Sequence, residues 1–141
     1  MQVWPEQGSP ERFSAGIERF NSHRFWDAHE EWETIWLASH AELREFLQGL
    51  IQLAAAYHHV QRGTLSGAVR LFASARRRLL LSEEGFCGIL HGPLIAVSER
   101  HQMWAEEQLS RVGAGGSAGI ERFDPSNFPK IEESGSHAER Q

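Results

Sequence analysis

From Phe13 to Leu109 the apolar residues recur at three- and four-residue spacings, the signature of helices that each bury one face. Ser9-Pro10-Glu11 reads as an N-cap, a proline at the first helical position and an acid in the first turn. Phe13, Ile17 and Phe20 then share one side of helix one. Asn21-Ser22 interrupts the pattern, after which Phe25, His29, Trp32 and Trp36 form a stripe on helix two that carries a histidine inside it. Ser39 with Glu42 predicts a capping box at the start of helix three, and Gly63 predicts its left-handed end just beyond Arg62. Along that helix Leu43, Phe46, Leu47, Leu50, Ala54 and Tyr57 make an apolar face, while Gln48, Gln52 and His59 make a polar strip beside it.

The short connection Thr64-Leu65-Ser66 places helix four antiparallel to helix three, with Ala68, Val69, Phe72, Ala75 and Leu79 inward. A glycine-bearing loop over Glu83 to His91 leads to Pro93, which opens helix five with Leu94, Val97, His101 and Trp104 on its stripe. The expected fold is all-α: a compact bundle of about five helices over residues 1–110, followed by a flexible C-terminal tail over 111–141. In that tail Gly113 to Gly119 has the composition of a linker, and no strand precedes it to make it a dinucleotide loop. Phe123-Asp124-Pro125 and Phe128 to Ile131 can dock as a strap, while Glu132 to Gln141 reads as polar and disordered.

Composition narrows the function classes. A formal net charge of −5 leaves no clustered basic surface beyond Arg76-Arg77-Arg78, so nucleic acid is not an expected partner, and the arginine run is accounted for by the negative end of helix four. The single cysteine, Cys87, cannot close an intramolecular disulfide and fits a reducing compartment, so a cytoplasmic location is expected. The chain shows neither a signal-like start nor an eighteen-residue apolar run, so no membrane partner is expected.

The candidate chemistry lies on helices two and three. His29 and Glu33 are one turn apart, with Glu30 just off their face, and they are close enough to share a proton or a metal ion. Helix three offers Gln48, Gln52 and His59, and Arg44 is able to neutralise a carboxylate between the helices. Two readings follow. In the first these residues are a satisfied polar network that fixes packing in a non-catalytic interaction or structural module, one that self-associates into a homo-oligomer. In the second they line a small-molecule or divalent-metal site with His29, Glu33 and His59 as working groups for acid–base or hydrolytic chemistry on an unknown ligand. No cofactor is firmly indicated, because the His29-Glu30-Glu31-Trp32-Glu33 string lacks the second histidine of a zinc-protease helix. Trp26, Trp32 and Trp36 read as core rather than as a cation cage, His101 as a core histidine, and Cys87 with His91 as structural.

Two stretches also resemble a known family. The run from Phe20 through Trp26-Asp27-Ala28-His29-Glu30-Glu31-Trp32 to Trp36 looks like its first motif. Phe46-Leu47-Gln48-Gly49-Leu50-Ile51-Gln52-Leu53-Ala54, His58-His59, Arg62-Gly63 and Ser66-Gly67-Ala68 follow the second in order and spacing. The family is domain-of-unknown-function family 309, and the resemblance, spanning residues 13 to 82, implies a bundle-like all-α fold with no agreed activity.

Overall fold

A computed structural model describes residues 4–113 and 123–134. Among them lie five α-helices: α1 (Ser9–Asn21), α2 (Phe25–Leu37), α3 (Ala41–Arg62), α4 (Leu65–Leu79) and α5 (His91–Gly113). Short 3-10 turns at Phe86–Gly88 and Pro125–Asn127 complete the described elements. The expected all-α bundle is what the chain forms.

The long helix α3 is the axis of the bundle. It packs against α2 on one side and α4 on the other, α1 joins α2, and α5 closes on α4. Leu43, Phe46, Leu47, Leu50, Leu53, Ala54 and Tyr57 of α3 are all buried, which is why apolar residues occupy more than one narrow stripe of it. Glycines let the helices approach: a Cβ on Gly49 would collide with Leu79 of α4, and one on Gly16 with the indole of Trp32. That indole is fully buried and donates its N–H to the Phe13 carbonyl at 3.1 Å, so α1 and α2 are joined by packing and by a satisfied polar group.

Two helix ends are built alike from different residues. At the end of α3 the Thr64 N–H returns to the His59 carbonyl across a left-handed Gly63 (φ 78°), as expected from the glycine. At the end of α1 the Arg24 N–H returns to the Arg19 carbonyl at 2.8 Å, but the left-handed position is held by His23 (φ 64°). A residue with a Cβ is strained there.

The start signals are corrected in two places. Gly8 (φ 91°), not Ser9, caps α1, and Ser9 is the first helical residue. The Ser39–Glu42 capping box does not form: the Ser39 hydroxyl turns back to the Ile35 carbonyl at 2.7 Å, and His40 precedes α3 with no side-chain cap. A serine buried at the end of one helix satisfies its hydroxyl on that helix before it can serve the next.

Residues 123–134 lie on the bundle. Asn21 holds them with both ends of its amide, accepting from the Ile131 N–H at 2.7 Å and donating to the Ile131 carbonyl at 3.1 Å. Ile131 is buried, and Phe123 and Phe128 pack on the core. Glu132 and Ser134 continue the pairing against the loop before α5, through Leu90 N–H to Glu132 carbonyl and Ser134 N–H to Gly88 carbonyl, so the disorder expected from Glu132 onward does not begin there. The expected linker over Gly113 to Gly119 lies, apart from Gly113 at the end of α5, outside the described residues, as do 135–141.

Candidate functional site

The α2 stripe is shifted from the one read in the sequence. Phe25, Ala28, Trp32 and Ile35 are its buried residues, and His29 and Trp36 stand at its edges, half-buried. The shift of one side chain around the helix decides what His29 meets. Its ring lies flat against Trp26, with centroids 4.4 Å apart and planes 9° from parallel, and Trp26 in turn meets His58 of α3 at 5.2 Å. The histidine of α3 in this group is therefore His58 rather than His59. Burial, then the charges of Arg62, His59 and His29, hold the His58 pKa below its ordinary value. The Nδ1 atom of His29 is buried without a hydrogen-bond partner.

The other expected site residues are dispersed. Glu30 and Glu33 are exposed on the outer face of α2, and no hydrogen bond or ion pair among the described residues joins either carboxylate to His29. The His59 ring is engaged with the Thr64 hydroxyl at 2.5 Å and lies against Gly67, where it secures the α3–α4 turn. Gln52 accepts from the Ser74 hydroxyl at 2.8 Å, a bond between α3 and α4. Gln48 is half-buried. Arg44 donates to the carbonyls of Trp36 and Ser39 and places its guanidinium 4.0 Å over the Trp36 ring, so it neutralises the end of α2 instead of a buried carboxylate. Among the described residues no three His, Cys, Asp or Glu side chains come together to hold a metal ion.

The interior polar pair is elsewhere. Tyr57 of α3, fully buried, donates its hydroxyl to His101 Nδ1 of α5 at 2.7 Å. Burial drives the Tyr57 pKa far upward despite the nearby charge of Arg100, and it lowers that of His101 to about 4, with Arg100 adding to the effect. The phenol therefore keeps its proton and the imidazole stays neutral, with its own hydrogen on Nε2. Phe20, Phe25, Phe72 and Phe128 pack around Tyr57, and Phe123 covers His101, leaving little room for a reactant between them.

Two lesser suspects are also settled by their surroundings. Burial, helped by Glu42, pushes the Cys87 thiol up to about 12, the opposite of an activated nucleophile. His91 is buried among carbonyls, with Nε2 donating to Ser82 at 3.0 Å and Nδ1 lying 3.3 Å from the Ile89 oxygen. It opens α5, next to the loop that meets the C-terminal strap.

The tryptophan reading needs one correction. Trp32 is core and Trp36 half-covered, but Trp26 is 45% exposed, with Leu37 at 69% on the same helix. Trp26, Glu30, Glu33 and Leu37 lie within about 60° of one another around α2, a solvent-facing stripe that hydrophobicity alone does not separate from the buried one.

Residues 13–71 match the family model described as Domain of unknown function (DUF309), so over that span the chain is similar to this family. No curated protein and no solved structure matches the chain. No helix among the described residues is long and apolar enough to cross a membrane.

Proposed function

We propose that this protein is a non-catalytic interaction module that assembles with further copies of itself, the outer face of α2 in one copy meeting the outer face of α4 in another. The observation that carries the reading is a pair of complementary stripes. On α2 the exposed carboxylates Glu30 and Glu33 lie between Trp26 and Leu37. On α4 the exposed Arg70 and Arg77 are two turns apart on one face, followed by Leu80 and Leu81, exposed at 67% and 69%. Neither Glu30, Glu33 nor Arg77 has an ion-pair partner among the described residues, and Arg70 reaches only the Ser66 carbonyl of its own helix. Unpaired charge of one sign beside large exposed apolar side chains fits a protein contact, with Trp26 the natural anchor. Gln52 and His59 serve packing in this reading.

Sedimentation velocity over a concentration series tests it. The wild type is expected to associate, and Glu30→Arg with Glu33→Arg, or Arg70→Glu with Arg77→Glu, to sediment as monomers. Mixing the two double variants restores complementary faces and is expected to restore association. A wild type that stays monomeric at the highest attainable concentration, or variants that associate as it does, overturns the proposal.

The unpartnered His29 Nδ1 beside His58 supports a second reading, a ligand site between α2 and α3 with these two histidines as donors. A divalent metal there would complete its shell with water, since two imidazoles alone do not fill it. Titration with Zn²⁺ followed by imidazole NMR is expected to shift His29 and His58 together, and a His29→Gln variant that binds equally well would sink it.

A further inference from the structure

A cavity of about 640 Å³ opens between the α1–α2 turn, the end of α3, α5 and the strap, within the size range of small-molecule sites. Trp104, Phe123 and Phe128 give it aromatic walls, and His23 and Arg62 bring nitrogen donors to it. None of the described residues lining it is acidic.

Three observations bear on what would fill it. The first is the backbone of His23. It occupies a left-handed position where Gly63 shows that this same turn is made without strain, and Gln61 reaches across from α3 to accept that geometry by donating its amide to the His23 carbonyl at 2.9 Å. Strain that is held by a neighbouring element and presents a side chain to a cavity is the kind that serves binding. The second is Arg62, exposed, with no hydrogen bond or ion pair among the described residues, on a chain whose net charge is −5. The negative end of α3 offsets part of its charge, but the His59 and Val60 carbonyls are already taken by the Thr64 and Gly63 N–H groups, and the planar five-donor guanidinium has no acceptor among the described residues. The third is the wall itself. Trp104 and Phe123 stand edge to face at 5.0 Å, and Phe123 and Phe128 lie tilted by 36° at 4.8 Å, aromatic surfaces suited to a flat ring. The strap carboxylate next in sequence to Phe123, Asp124, is turned to its own backbone, accepting the Ser126 N–H at 3.0 Å.

We infer that this cavity is a binding site for a planar aromatic carboxylate, the ring against Trp104, Phe123 and Phe128 and the carboxylate on Arg62 and His23. The site is separate from the α2 and α4 faces, so it stands or falls independently of self-association. Arg62 supplies a bidentate, charge-assisted contact that a neutral ligand of the same shape does not engage.

The test is calorimetric titration of the full chain with 2-naphthoate and, in parallel, with neutral 2-naphthol, with the Trp104 indole resonance followed by NMR. Saturable 2-naphthoate binding that moves that resonance is expected, with 2-naphthol at least tenfold weaker. Arg62→Gln is expected to lose at least tenfold for 2-naphthoate and to leave 2-naphthol unchanged. His23→Asn keeps a residue that accepts the left-handed turn and is expected to weaken 2-naphthoate severalfold, while unchanged thermal unfolding shows that each variant is folded. Absence of 2-naphthoate binding, equal affinity for the two probes, or no loss in Arg62→Gln overturns the proposal.

Discussion

His101 and His29 both sit on helical stripes next to an aromatic side chain, and their environments diverge completely. His101 accepts from the hydroxyl of a buried tyrosine and is covered by Phe123 of the strap. His29 lies flat against a half-exposed tryptophan, and its Nδ1 has no partner. The difference comes from a third element: the strap pinned by Asn21 closes over α3 and α5, whereas nothing among the described residues closes over Trp26 and His29. A histidine is drawn against the core when a remote segment packs over it, and helical periodicity carries no record of that segment.

The sharpest way to break this contrast is Tyr57→Phe. It removes the donor but keeps the ring, leaves His101 Nδ1 unpaired, and is expected to cost about 2 kcal/mol in chemical denaturation. A loss near zero would mean that water replaces the Tyr57 hydroxyl at His101. Asn21→Ala, which frees both backbone groups of Ile131, is expected to cost about 1–2 kcal/mol and to speed amide exchange of Ile131 and Leu90, because water replaces part of what is lost. Unchanged exchange at Ile131 would show that apolar contacts alone hold the strap.

The pH dependence follows from the depressed His101 pKa. In the unfolded chain the imidazole protonates near its ordinary value of 6.5, and in the folded chain only near 4. The stability is therefore complete above about pH 6.5, falls as the pH drops toward 4 because the unfolded state takes up the proton first, and levels off below that. His101 is only partly buried, so solvent screening reduces the effect to roughly 1 kcal/mol. Urea unfolding of wild type and His101→Gln across this window checks it, the variant being expected to lose that part of the slope. The smallest effect is expected at the other histidine. His29→Gln should alter stability by no more than about 0.5 kcal/mol, since it breaks no hydrogen bond, and a melting curve displaced by many degrees would instead make His29 a structural residue.

The candidate site was legible only in part. The α2 and α3 helices and their residues were identifiable because amphipathic spacing is local, and the Gly63 terminus because a left-handed end needs a residue that tolerates it. Which of His58 and His59 faces α2 was not, since adjacent positions differ by about 100° and the choice depends on how α2 and α4 are rotated about α3. His59 went to Thr64, Gln52 to Ser74 and Arg44 to Trp36 for the same reason: each met a nearer partner on a helix end or on α4. Nor was the cavity foreseeable, because its donors and walls come from the α1–α2 turn, the end of α3, α5 and a strap about a hundred residues downstream of His23.

By itself the amino-acid sequence determined the helical class, the number of helices, the antiparallel α3–α4 hairpin and the apolar residues of the core, all consequences of spacing and turn chemistry within a few residues. Only the tertiary structure decided that Tyr57 and His101 pair, that Trp26 faces solvent and that Asn21 clasps Ile131, because burial and hydrogen bonding between distant segments depend on the rotation and offset of whole helices, which no local pattern encodes.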